Sequence, residues 1–196
     1  TCEVANALGT DKIRMFSFFE AYDKRDEVMD RLRKMVAIAG EYNVGLYHEN
    51  EKDVYGDVAA RVVDIMENVP GLHFIYDPAN FLQCGDSADD TQRIFAGKID
   101  YYHVKDVIAA SGAIVPAGKG DGKIVNILQT ITSDKTFTME PHLSIFEGYS
   151  SIDKTEMKHE YEFDTPDEAF DTGVASFKGL LKEAGFEEVG DGFIRK

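Results

Sequence analysis

A chain of 196 residues is long enough for one domain with a real core, and 43% hydrophobic with 29% charged residues is an ordinary globular balance. The formal net charge of −15 repels phosphate backbones and no local basic stripe offsets it, so nucleic acid is not an expected partner. No run approaches the roughly 20 apolar residues of a membrane span, and no basic start with an apolar centre marks a signal peptide. Cys2 and Cys84 are too few for a disulfide framework and too far apart for a zinc knuckle, which makes a reducing, cytoplasmic setting the expectation. The chain opens on Thr1-Cys2-Glu3 without an initiator methionine, read here as a processed leader or, in view of the organisation below, a fragment of something longer.

Apolar strands alternate with amphipathic helices along the chain. Ile13 to Phe19 reads as the first strand, followed by a helix from about Asp26 to Tyr42 with Val28, Leu32, Met35, Val36 and Ala39 at helical spacing. Val44 to Glu49 is the second strand. Its helix, Val58 to Asn68, carries Val58, Val62, Ile65 and Met66 on one face. Leu72 to Asp77 is the third strand, with a helix around Ala88 to Phe95, and Ile99 to Lys105 is the fourth. After the Gly-rich segment Gly118 to Gly122, Ile124, Ile127, Leu128 and Ile131 mark a further helix, and Phe137 to Glu140 is the fifth strand. Thr165-Pro166-Asp167-Glu168 combines an N-cap, a proline at the first helical position and a capping-box glutamate. The buried stripe expected for that last helix is Phe170, Val174, Phe177 and Leu181, with Gly185 as its stop. The polar segment from Leu143 to Asp164 has no period and reads as a lid or a solvated excursion.

Strands alternating with helices predict an α/β fold with a parallel sheet, either open and doubly wound or closed as a barrel. A dinucleotide-binding sheet would show a Gly-rich turn after its first strand, and none is there. Instead four consecutive strands end in a polar, ligand-type residue, the pattern of a (β/α)₈ barrel, whose active site gathers at the C-terminal strand ends. A barrel needs eight strands and five are legible, so residues 1–196 are expected to be a single domain, the C-terminal part of a TIM barrel, with three strands upstream.

The four strand ends are Glu49, Asp77, His103 and Glu140. Alternation puts Val44, Leu46, Phe74, Tyr76, Tyr102, Val104, Phe137 and Met139 toward helices, and the four polar residues toward the axis. Three carboxylates and one imidazole form a set of three oxygens and one nitrogen that suits Mn²⁺, Mg²⁺ or Co²⁺, with Zn²⁺ less favoured for want of thiolates. Three buried carboxylates repel one another without a cation. Each residue taken singly has a plainer reading, a helix cap or a satisfied core histidine; four in register on consecutive strands do not.

The motifs His-Glu-Asn-Glu at 48–51, Asp-Pro-Ala-Asn at 77–80, His-Val-Lys-Asp at 103–106, Gly-Lys-Gly-Asp-Gly at 118–122 and Glu-Pro-His-Leu at 140–143 occur in order. In that order they resemble the sugar phosphate isomerase/epimerase family with the xylose-isomerase-like barrel, which includes ketose 3-epimerases, hydroxypyruvate isomerases and inosose dehydratases and is related to AP endonucleases. The resemblance runs over essentially the whole chain and implies strands four to eight of the barrel. It implies a divalent-metal-dependent isomerase or epimerase acting on a small sugar or sugar phosphate through a cis-enediolate. Glu49 and Glu140 would be the acid/base pair as well as metal ligands, and Asp77 and His103 metal ligands only.

Two positions depart from the family. Asn80 stands where ketose epimerases carry a substrate-contacting histidine, and the nearest inward cation after the histidine ligand is Lys105 rather than an arginine. Asn80, Lys105 and His142 are the candidate substrate-binding residues, with Lys105 equally readable as a buried ion-pair partner and His142 as a support for Glu140. Gly118 to Gly122 reads as a tight turn or a phosphate cradle, and Glu51 is left without a role. Rival functions are an inosose-type dehydratase, an AP-endonuclease-like hydrolase, for which five histidines are few, and a non-catalytic sugar-binding relative. The expected partner is a small sugar; no membrane is expected, and a homo-oligomer is left open.

Overall fold

The computed structural model describes residues 1–144 and 158–196. A short helix, α1 (Cys2–Leu8), leads through Gly9, at φ 74°, into strand β1 (Lys12–Met15). The chain then alternates through α2 (Arg25–Glu41), β2 (Gly45–Glu49), α3 (Ala59–Asn68), β3 (His73–Tyr76), α4 (Pro78–Gln83), α5 (Ala88–Phe95) and β4 (Tyr101–Val104). A hairpin, β5 (Asp106–Ile108) with β6 (Ala113–Val115), precedes α6 (Ile124–Thr130) and β7 (Thr136–Met139). The two-residue β8 (Lys158–His159), the long α7 (Pro166–Glu183) and a hairpin of β9 (Phe186–Val189) and β10 (Gly192–Arg195) complete the described chain.

Five strands pair in parallel in the order β1-β2-β3-β4-β7. That order runs with the sequence and never reverses, as in a barrel wall, whereas a doubly wound sheet turns back at a switch point. The fold is α/β, part of a (β/α)₈ barrel. Helices cover the outer face, where Leu46, Phe74 and Tyr76 meet Leu32, Val62 and Ile65 in one apolar cluster. A second cluster joins Val104 to Ile124, Leu128, Phe177 and Leu181. No helix among the described residues is long and apolar enough to cross a membrane.

The structure changes two expectations. The first strand leaves the parallel sheet after Met15; Phe19 instead bridges antiparallel to Val54, in the loop after β2, and Glu20 N–H donates to Asp53 O at 2.7 Å. The buried stripe of α7 is Ala169, Gly173, Phe177 and Leu181, one residue away from the expected start, and Phe170 is exposed. Close approach is the reason. A Cβ on Gly173 would stand 2.7 Å from Pro141 Cβ, so a small residue must face the end of β7, and Phe170 turns outward. The capping box is present: Thr165 Oγ1 accepts from Glu168 N–H at 3.1 Å, and the Glu168 carboxylate accepts from Asp164 N–H at 3.0 Å. Most of the expected lid lies outside the described residues; its end forms β8, beside Ala113 and Ile114.

Candidate metal centre at the strand ends

Side-chain alternation on β2, β3, β4 and β7 directs one polar residue from each strand end onto the same point. In the parallel register Glu49 lies beside Ile75 and His103 beside Thr138. Asp77 and Glu140 each sit two residues beyond those partners, and the stagger of tilted strands brings residues two apart to one level. One ligand-type atom from each of Glu49, Asp77, His103 and Glu140 lies within 4.8 Å of all the others. Glu49 and Asp77 are wholly buried and His103 nearly so, while the Glu140 side chain keeps 22% exposure. Beneath them an aromatic layer closes the floor. Tyr47 stacks on His73 at 4.7 Å, Tyr101 packs edge-on to Tyr47, and the Tyr101 hydroxyl meets Thr138 Oγ1 at 2.6 Å.

Local sequence fixes one of the four, Asp77, before tertiary packing does. Asp77 is the N-cap of α4, with Pro78 at the first helical position, and its Oδ1 accepts from Asn80 N–H at 3.0 Å. The plain reading of Asp77 as a helix cap is therefore correct, and it uses one oxygen. The other, Oδ2, is buried without a hydrogen-bond donor; Lys105 Nζ lies 3.1 Å away, a charge contact not aligned as a hydrogen bond. Asn50 clamps the same turn, its amide donating to Asp77 O and accepting from Asp77 N–H, both at 2.9 Å. This side chain extends the β2–β3 ladder by one rung and sets the height of Asp77 against Glu49.

Charge in the cluster is unevenly compensated. Burial raises Asp77 above the ordinary carboxylate range, and Lys105 only partly offsets it. Burial would also raise Glu49, but His103, Arg14 and Lys105 together hold it below its usual value. His103 Nδ1 stands 2.8 Å from Glu49 Oε1 and 3.4 Å from Glu140 Oε2, so one ring nitrogen faces both glutamates. A buried carboxylate oxygen without a donor, beside two more carboxylates and an imidazole nitrogen, is a donor set that could hold a divalent ion. The residues present fit such an ion.

The candidate substrate contacts fall beside this cluster with different commitments. Asn80 is fully buried: its amide donates to Asn50 O at 2.8 Å and Glu51 Oε2 at 3.3 Å, and its Oδ1 accepts from Lys105 at 2.6 Å. Both amide hydrogens thus bind protein. Lys105 faces Asp77, Glu51 and Glu49, and these carboxylates hold its ammonium well above the usual lysine range despite burial. Of its two readings, the buried ion pair is the one its contacts describe. His142 Nε2 lies 3.9 Å from Glu140 Oε2, and burial followed by the charge of Lys105 pushes its ring down to about 4. Glu51 lies beside Lys105 and Asn80, and burial raises its carboxyl above the ordinary range.

Two features near the cluster escape a reading of strand ends. Arg14 on β1 donates from Nε to Glu49 Oε2 in a very short contact. Alternation could have found it, since Arg14 pairs with Tyr47 and so shares the inward face. The second is Asp106. Its carboxylate accepts from Val107, Gly118, Gly120 and Gly122 N–H at 2.8 to 3.1 Å, so the glycine-rich loop cradles the protein's own anion rather than a phosphate. A Cβ at Gly120 would meet Asp106 Oδ1 at 2.5 Å, which explains the glycine. Burial raises the Asp106 carboxyl, and the four N–H donors oppose that rise.

Comparison with known proteins agrees with this architecture. No curated protein sequence matches the chain. Among solved structures, the IolI protein with a bound zinc atom superposes with a TM-score of 0.70 at 16% identity, over 93% of this chain and 67% of that one. The probable 3-DHS dehydratase AsbF of Bacillus anthracis gives 0.65 at 17% identity, over 89% and 66%. The D-allulose 3-epimerase of Methylomonas sp. gives 0.70 at 11% identity, over 92% and 66%. The chain thus spans about two thirds of the length of these structures, and at such identities the likeness is one of fold. A family model, xylose isomerase-like TIM barrel, matches residues 1–189. Fold, strand order and sequence agree, and the chain belongs to the xylose isomerase-like TIM barrel family.

Proposed function

We propose that this protein is a divalent-metal-dependent enzyme that isomerises or epimerises a small sugar or sugar phosphate by moving a proton beside its carbonyl. The observation that carries the reading is the convergence of Glu49, Asp77, His103 and Glu140 within 4.8 Å at the strand ends, with one buried oxygen of Asp77 lacking a donor. All four would hold the ion; Mn²⁺, Mg²⁺ or Co²⁺ suit the oxygen-rich set, and Zn²⁺ is admissible. Such an ion supplies Lewis-acid polarisation of a substrate carbonyl, which acidifies the neighbouring C–H.

The chain's own residues divide the remaining work. Glu49, held ionised by its cationic neighbours, takes the proton from the carbon beside the carbonyl and leaves an enediolate. Glu140, more exposed and on a different strand, returns a proton to the opposite face in epimerisation; for isomerisation the proton goes to the neighbouring carbon. Asp77 and His103 fix the ligand geometry, and Asn80 with Lys105 locks the turn that carries Asp77. An elimination of water would begin with the same proton abstraction, and the similarity to a probable 3-DHS dehydratase gives that second reading its support. The two free cysteines are compatible with a cytoplasmic setting, which is part of the proposal.

Metal-dependent uptake of ²H from D₂O into a panel of ketoses tests this. Exchange should appear with Mn²⁺ and fall about 100-fold or more in Glu49→Gln and in Glu140→Gln. Exchange that survives both substitutions undiminished overturns the assignment, and release of a dehydrated product selects elimination.

A further inference from the structure

We infer that Arg14 is the specificity-determining residue of this site and that it binds an anionic group, a carboxylate or a phosphate, on the hydroxycarbonyl substrate. This rests on the metal-dependent reading above and names the substrate class it leaves open. Among the described residues, Arg14 and Lys105 are the two fixed cations whose charge acts on Glu49. Lys105 is buried, and its ammonium is engaged by Asp77 and Asn80. Arg14 lies on β1, the edge strand of the described sheet, its side chain 42% exposed, and only its Nε is engaged, by Glu49. Among the described residues its two terminal nitrogens have no hydrogen-bond partner. The guanidinium carbon stands 4.7 Å over the Phe16 ring, a cation–π contact that steadies the group.

Charge counting points the same way. Glu49, Glu51, Asp77 and Glu140 bring four negative charges when ionised, against Arg14 and Lys105. A divalent ion brings the sum to zero, so an anionic ligand meets no net repulsion. It would also share Glu49's charge, which frees the guanidinium for a planar, bidentate partner. A lysine at the same place would be a point charge without that fork.

The test compares binding of neutral hydroxyacetone with two anionic hydroxyketones, dihydroxyacetone phosphate and δ-hydroxylevulinate, to the Mn²⁺-loaded chain by titration calorimetry. The wild type should prefer at least one anion by roughly 10- to 100-fold, and the favoured arm tells phosphate from carboxylate. In Arg14→Gln the ratio should fall to about one, with one Mn²⁺ per chain as the folding control. Arg14→Lys, which retains the charge, should keep only part of the preference. Equal affinities in the wild type, or a preference unchanged in both variants, overturn the inference while leaving the metal site intact. Absence of Mn²⁺ binding in the wild type overturns the metal reading and this inference with it.

Discussion

Removing the Asp106 carboxylate tests whether the glycine-rich loop exists to hold an internal anion. Asp106 is 1% exposed and satisfies four backbone N–H groups, from Val107, Gly118, Gly120 and Gly122. Asp106→Ala strands four donors, each costing about 1–3 kcal/mol if it stays buried without a partner. Water entering the enlarged space recovers part of this, which leaves a loss of about 4–6 kcal/mol. Against a total stability of about 5–15 kcal/mol that is severe, and at roughly 2–4 °C per kcal/mol it lowers Tm by about 10–20 °C. Asp106→Asn keeps the shape but replaces one accepting oxygen with an N–H₂ group. Oδ1 serves Val107 and Gly122 while Oδ2 serves Gly118 and Gly120, so whichever way the amide turns, two donors face another donor. About half the loss should remain. Urea denaturation with paired calorimetry reads both variants. A loss under about 1 kcal/mol in Asp106→Ala, or wild-type stability in Asp106→Asn, would refute the reasoning.

Two glycines in α7 should respond with opposite signs. Gly179→Ala meets nothing within 4 Å and should gain about 1 kcal/mol of helix propensity, whereas Gly173→Ala drives a Cβ to 2.7 Å from Pro141 and should lose about 1–3 kcal/mol; equal denaturation midpoints would contradict the close approach. His48 offers a pH test: burial pushes its ring down to about 4, and neither ring nitrogen has a hydrogen-bond partner. Between about pH 6.5 and 4 the unfolded chain takes up a proton that the folded chain refuses, so stability falls as pH drops through that window, by about 3 kcal/mol in all. His48→Met should flatten this slope relative to wild type, and identical slopes would show that His48 is not the group responsible.

Much of the barrel wall is legible in the sequence because parallel strands buried on both faces leave continuous apolar runs, and their helices repeat at a fixed spacing. Asp77 and His103 stand out for the same reason, as polar residues closing apolar strands. What escapes is short or depends on partners. The helix Pro78–Gln83 is a turn and a half long, too brief for a periodic stripe, although Asp77-Pro78 already carries its cap and first position. Hairpin β5–β6 and strand β8 contribute two or three residues each and exist through pairing. Phe170 is exposed where periodicity predicts burial, because periodicity cannot weigh the approach of Pro141 to Gly173. The commitment of Asn80 to Asn50, Glu51 and Lys105 follows from the three-dimensional meeting of three strand ends. Alternation places Arg14 on the inward face, but its contact with Glu49 spans 35 residues of sequence and has no local signature.

The proposed site draws one residue from each of four strand ends to hold one divalent ion. Calorimetric titration of the metal-stripped chain with Mn²⁺ tests it most directly, with thermal unfolding measured on the same samples. The account predicts one saturable ion per chain, about 2.7 kcal/mol of added stability at a free concentration a hundredfold above Kd, and loss of both in the Glu49→Gln, Glu140→Gln double variant. No saturable binding, or binding unchanged in the double variant, would contradict it.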